Sequence, residues 1–218
     1  MNMFLKQTKN IVTRARNEHE QNPAFWLRGL ISSSMTAIPS PHNSPTDDLS
    51  ITHINPEVAN WSSATYYGDA SGGEYTSYNE IRRVGVSVVF VSEESRTTVF
   101  GLHCNLPGQI QSVGRGELFA LVMLSRQLLP VTNVIYVTDN KPLCDTFNKG
   151  PMAGRNSANC DLYKELFDTL FQKGIQLSVR WMPSHLDNPN VLPEGVSEFD
   201  VFANDQADEF ARIAAQQF

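Results

Sequence analysis

From residue 61 onward, apolar and polar positions fall into regular blocks whose period changes midway along the chain. Residues 64–69 (ATYYGD) read as a strand, and 84–91 is a β-branched run fit for a buried one. Thr97–Asn105 alternates loosely and closes a three-strand group, with Gly72-Gly73 and Glu93-Glu94-Ser95 at turns suited to antiparallel hairpins. The period then becomes helical. Residues 117–124 (ELFALVML) are apolar almost all round, as in a helix at the centre of a domain. A short buried strand follows at 134–138, then a short helix over Lys141–Asn148 started near Asn140 and Pro142. Leu162, Leu166, Phe167, Leu170 and Phe171 repeat at helical spacing and stop at Lys173-Gly174. A strand at 175–182 and a helix from about 203 to 215 complete the order. An antiparallel triplet followed by βαβ crossovers predicts an α/β fold, a mixed five-stranded sheet with helices on its faces.

Residues 33–60 interrupt any such pattern with four prolines and many Ser, Thr and Asn, a composition that reads as linker. Before it, residues 1–32 are weakly helical, and Lys6, Lys9, Arg14 and Arg16 precede the first acid, Glu18. An appended helix or relic of a larger precursor, a transit peptide and an electrostatic arm for phosphates all fit this segment. The expected division is therefore an extension with linker over 1–60 and one domain over 61–218. The 218 residues suit one domain with an added stretch, and no internal repeat is visible.

Composition narrows the function classes. No apolar run approaches the roughly 20 residues of a spanning helix, so no membrane association is expected. Cys104, Cys144 and Cys160 lack metal-like spacing and cannot all pair, which suits reduced thiols in an intracellular setting. A formal net charge of −6 argues against a histone-like or arm-driven nucleic-acid binder, but not against an enzyme that holds nucleic acid through metals.

Four acids sit where burial should make them costly. Asp69 ends the strand TYYGD, Glu117 opens the most apolar helix, Asp139 ends VIYVTD, and Asp208 lies between Ala207 and the Phe210-Ala211 face. Each alone has a plain explanation as a turn, cap or first-turn carboxylate. Clustered, they would raise one another's pKa, and a divalent cation with hard oxygen ligands would remove that penalty. Strand carboxyl ends are also where sites form in α/β sheets.

GDASGG (68–73), RGEL (115–118), VTDN (137–140), MPSH (182–185) and NDQADEFA (204–211) occur in an order that resembles the ribonuclease H family, type 1, over residues 61–218. Each short segment is weak alone; five in order are specific. The resemblance implies a ribonuclease H-like fold, with Asp69, Glu117, Asp139 and Asp208 as the catalytic, metal-binding quartet and Asp205 as a competitor for the last role. It also implies that His185 aids water activation or product release, and that two Mg²⁺ ions, with Mn²⁺ as substitute, serve hydrolysis of the RNA strand of RNA–DNA hybrids. Polar candidates for gripping that substrate are Ser71, Gln111, Ser112, Asn140 and Asn204.

The sequence departs from the cellular enzymes of the family. Ser112-Val113-Gly114 stands where many carry Asn residues, and Gly150–Asn159 holds only Arg155, without a basic protrusion. The stretch from His185 to Asp208 is acidic, with Asp187, Glu194, Glu198 and Asp200, and should weaken phosphate binding unless it moves away. These traits look more like the ribonuclease H domains of retroelement polyproteins, in which residues 1–60 would be the tail of a preceding reverse-transcriptase module. A monomer is expected. Integrases and transposases place their Glu last in chain order, and proofreading exonucleases carry a Glu where Ser71 stands here. A non-catalytic nucleic-acid-binding or scaffold domain is the rival of another class; it would be expected to have lost a carboxylate, and none of the four is missing.

Overall fold

A computed structural model describes residues 47–79, 81–183 and 192–217, together with Thr13, Arg16, Asn17 and Glu20. The chain divides into two compact units, Met1–His42 and Asn43–Phe218, and the sheet lies in the second. Its strands are β1 (Ile51–Ile54), β2 (Thr65–Ser71), β3 (Gly85–Ser92), β4 (Thr97–Asn105), β5 (Asn133–Thr138) and β6 (Gln176–Trp181). Five α-helices are described: α1 (Val113–Gln127), α2 (Lys141–Asn148), α3 (Pro151–Arg155), α4 (Cys160–Lys173) and α5 (Glu198–Ala215).

The strand order is β1-β4-β3-β2-β5-β6. The first four in this order are joined antiparallel, and β5 and β6 are added parallel to β2. This is the mixed α/β sheet expected from the pattern, with one strand more. The sixth is β1, inside the stretch expected to be linker. Four residues are too few for alternation to register among Ser, Thr and Pro, yet Ile51 and Ile54 each pack against a core cluster. Asn105, buried at the end of β4, fixes the entry: its amide oxygen accepts from the Ser50 N–H at 2.7 Å, and its amide nitrogen donates to the Asp48 carbonyl at 2.8 Å. The folded unit thus reaches N-terminal to residue 61. A chain beginning at Asn60 should fold less stably than one beginning at Asn43, by about 2 kcal/mol for the lost ladder and exposed β4 edge. Paired thermal melts check this; equal melting temperatures would show that β1 is dispensable.

Helices cover both faces of the sheet. The larger core lies under α1 and α4, where Leu118, Leu121, Val122 and Leu166 meet Val86, Val88, Leu102 and Tyr136. The opposite face is covered by α5, whose Ala203, Ala207, Ala211 and Ala214 are fully buried. Two glycines set how closely these helices approach. A Cβ on Gly116 would lie 2.6 Å from Val84 and 2.7 Å from Ala70, so only glycine lets the start of α1 settle on the sheet. A Cβ on Gly85 would lie 2.1 Å from the Ala211 carbonyl, and the nearby Ser87 hydroxyl donates to the Ala207 carbonyl at 2.6 Å. Both glycines bring an acid-bearing helix against the strands that carry the other acids.

Two helices begin earlier than the pattern indicates. Ser112 caps α1 through its hydroxyl, so Glu117 sits in the second turn rather than opening the helix. Ser197 and Asp200 form a capping box that starts α5 at Glu198, five residues ahead of expectation.

Candidate metal centre

The parallel register pairs Tyr67 with Val137, which brings Asp69 and Asp139 side by side at the carboxyl ends of neighbouring strands. Glu117 descends onto the same end from α1. One carboxylate oxygen from each of Asp69, Glu117 and Asp139 lies within 4.8 Å of the other two. Asp69 and Glu117 are buried and Asp139 is half-buried.

Asp69 accepts from the Ala70 N–H at 2.7 Å, and the Thr138 hydroxyl stands 3.4 Å from Glu117 while itself accepting from the Asn140 N–H. Burial dominates the electrostatics. It pushes Asp69 up to about 7, helped by the charges of Asp139 and Asp208 and opposed by hydrogen bonds from Glu117 and the Ala70 N–H. Glu117 rises well above the ordinary carboxylate range, first through burial and then through Asp69 and Asp139. Around neutral pH the apo cluster therefore retains protons that a divalent cation would displace.

The donor set fits such a cation. All ligand atoms are hard carboxylate oxygens converging from three elements, the chemistry of Mg²⁺ or Mn²⁺. The hydroxyl of Tyr136 adds an independent sign. It is fully buried, has no hydrogen-bond partner among the described residues, and lies within the electrostatic reach of all three acids.

Asp208 stands outside the tight group, half-buried on α5, with its charge acting on Asp69. Asp205 is exposed on the same helix, and burial and the Asp208 charge raise it modestly. His185 falls outside the described residues.

Ser112 and Asn140 line one cleft of about 280 Å³ with Arg115, Thr146, Asn159 and Tyr163. Both are committed as helix caps, accepting from the N–H groups of Arg115 and Leu143. Gln111 is buried and fully engaged: its oxygen accepts from Val84 N–H, and its nitrogen donates to the carbonyls of Leu106 and Gly108. These bonds shape the loop before α1. Ser71 accepts from the Gly73 N–H at 3.3 Å at the turn after β2. Asn204 is buried on α5 with its amide oxygen unpartnered among the described residues.

The acidic stretch before Asp208 is less repulsive than its composition suggests. Asp200 is buried, and its carboxylate accepts from the Tyr67 hydroxyl at 2.8 Å, from both terminal nitrogens of Arg180, and from Ser197. Arg180 and these hydrogen bonds outweigh burial and hold Asp200 at about 2. The cation comes from β6, far away in sequence, so the local charge count could not reveal it. This network ties α5, which carries Asp208, to β2 two residues before Asp69.

Sequence reasoning also missed Trp181 and Lys141 beside the cluster. Trp181 ends β6 and donates its indole N–H to the Asp139 main-chain carbonyl at 3.0 Å. An exposed aromatic at a strand end leaves no signature in hydrophobic periodicity.

No family model matches the chain, and no curated protein sequence matches it. Among solved structures it is similar to the solution structure of the PFV RNase H domain, at 16% identity and a TM-score of 0.49, over 70% of this chain and 93% of that one.

Proposed function

We propose that the unit Asn43–Phe218 forms a metal-dependent ribonuclease H that cleaves the RNA strand of RNA–DNA hybrids. The observation that carries this reading is the convergence of Asp69, Glu117 and Asp139 within 4.8 Å at one end of the sheet. The motif order from GDASGG to NDQADEFA supports it. Asp69, Glu117, Asp139 and Asp208 would hold two Mg²⁺ ions, or Mn²⁺ in their place. Bound there, the ions supply water activation and stabilisation of the leaving oxygen of a phosphodiester.

The chain's own part is to hold and release protons. Asp69 and Glu117 give up their retained protons as the cluster ionises, and burial beneath α1 keeps bulk water from solvating the carboxylates. Choice of RNA requires contact with the 2′-hydroxyl, for which Ser112 and Asn140 are two of several polar groups lining the cleft beside α1 and α2. The half-buried Asp208 completes the quartet, and His185 assists water activation or product release. We read the chain as an intracellular monomer of the retroelement polyprotein type.

A hybrid labelled on both strands tests the substrate class: the RNA strand should be cut while its DNA partner and duplex DNA stay intact. Equal cutting of duplex DNA would overturn the reading.

The two acids of α5 give a sharper prediction. Asp208→Asn should slow hybrid cleavage by at least about tenfold, or roughly 1.4 kcal/mol of barrier, whereas Asp205→Asn should leave it nearly unchanged. Rates of the two variants under saturating Mg²⁺ decide it; the reverse ranking would exchange their roles.

A further inference from the structure

Trp181 is 38% exposed, a large aromatic left open at the carboxyl end of the sheet. Its position is fixed at one edge, because its indole N–H is bonded to the main-chain carbonyl of Asp139. The Lys141 ammonium rests over the ring, 5.0 Å from its centroid. Lys141 is itself exposed and has no carboxylate partner among the described residues, whereas Arg115, Arg126, Lys164, Arg180 and Arg212 are each ion-paired. In a chain of net charge −6, an uncommitted cation two residues from Asp139 has an evident use for a polyanion.

The energetics favour exchange. A cation over an exposed ring gains only about a third of what a charge-assisted hydrogen bond gives, so a phosphate within reach would draw the ammonium away. That movement uncovers an indole face held rigidly beside the carboxylates. Aromatic platforms of this kind take the unpaired bases of single strands without regard to sequence.

We propose that Trp181 and Lys141 form a nucleotide subsite beside the carboxylate cluster, in which the indole stacks on an unpaired base at a single-stranded end of the hybrid and Lys141 pairs with the phosphate of the same strand. The inference rests on the site being a nucleic-acid hydrolase.

Its test is the binding of a short fluorescein-labelled RNA–DNA hybrid with a single-stranded overhang to the full chain, with Ca²⁺ replacing Mg²⁺ to suppress cleavage. Trp181→Leu should weaken binding by about tenfold, and Trp181→Phe, which keeps a ring, by no more than about threefold. Lys141→Met should make the slope of log K against log salt shallower by about one. Trp181 fluorescence, taken as the difference between the wild type and Trp181→Phe, should be quenched by the hybrid. Equal losses in the Phe and Leu variants would show that only the N–H anchor to Asp139 matters and would overturn the subsite. Wild-type affinity and salt slope in all three variants would overturn it too, while leaving the hydrolase reading intact. A wild-type chain that binds no hybrid would overturn both.

Discussion

Glu117→Gln should abolish measurable hybrid cleavage, lowering the rate by about 10³-fold or more, equivalent to roughly 4 kcal/mol of barrier. The side chain is 3% exposed and keeps its shape in the substitution, so the change is one of charge rather than packing. A neutral amide offers one weak oxygen where the cluster needs an anionic ligand, and the two remaining close carboxylates, Asp69 and Asp139, cannot hold the same cationic charge. Metal-free stability should move the other way. Burial and the Asp69 charge, which raise Glu117, act on no ionisable group in the variant, so it should melt higher than the wild type in EDTA. Single-turnover rates with matched melting curves check both halves. A variant that cleaves at the wild-type rate would remove Glu117 from the metal centre.

The second large effect is a pH-dependent stability that metal reverses. Asp69 is raised from 3.8 to about 7, and Glu117 is raised as well. Between those limits the folded chain binds more protons than the unfolded one, so these groups make stability fall as pH rises from about 4 to 7. Above that window Asp69 is ionised at its full cost of burial in the absence of a divalent ion. Mg²⁺ at 100 times its dissociation constant adds about 2.7 kcal/mol, on the order of 5–10 °C in melting temperature for a domain of this size. The gain should be larger at pH 8 than at pH 5, where protons compete with the metal. Asp200 contributes in the opposite sense and at a separate place on the scale, because its carboxylate, held at about 2, loses its stabilising effect only in strong acid. Melting curves at several pH values, with and without Mg²⁺, check this; a metal-induced shift independent of pH would contradict the protonated cluster.

Much of the architecture was legible because it rests on long, consistent patterns. The β-branched run of β3 and the all-apolar stretch of α1 could bury themselves in few other ways. The acids at the ends of β2 and β5 stood out because carboxylates there are costly without a counter-charge. What escaped the pattern depends on partners distant in sequence. Ile51 and Ile54 make a strand only because β4 offers an edge and Asn105 clamps Ser50 and Asp48. Asp200 reads as one more solvated acid until Arg180 and Tyr67 are seen to enclose it. Gln111 reads as an available polar group until its amide is found spent on the loop it organises. The five residues of α3 start at Pro151 and end within one turn or so, too short for helical periodicity to show.

One assay bears most directly on the proposed role of the carboxylate cluster. A hybrid carrying labelled RNA, incubated with the chain in Mg²⁺, should be cut within the RNA strand, should stay whole in EDTA, and should be cut again when Mg²⁺ is restored in excess. Full cleavage in EDTA, or an intact hybrid in both Mg²⁺ and Mn²⁺, would contradict it.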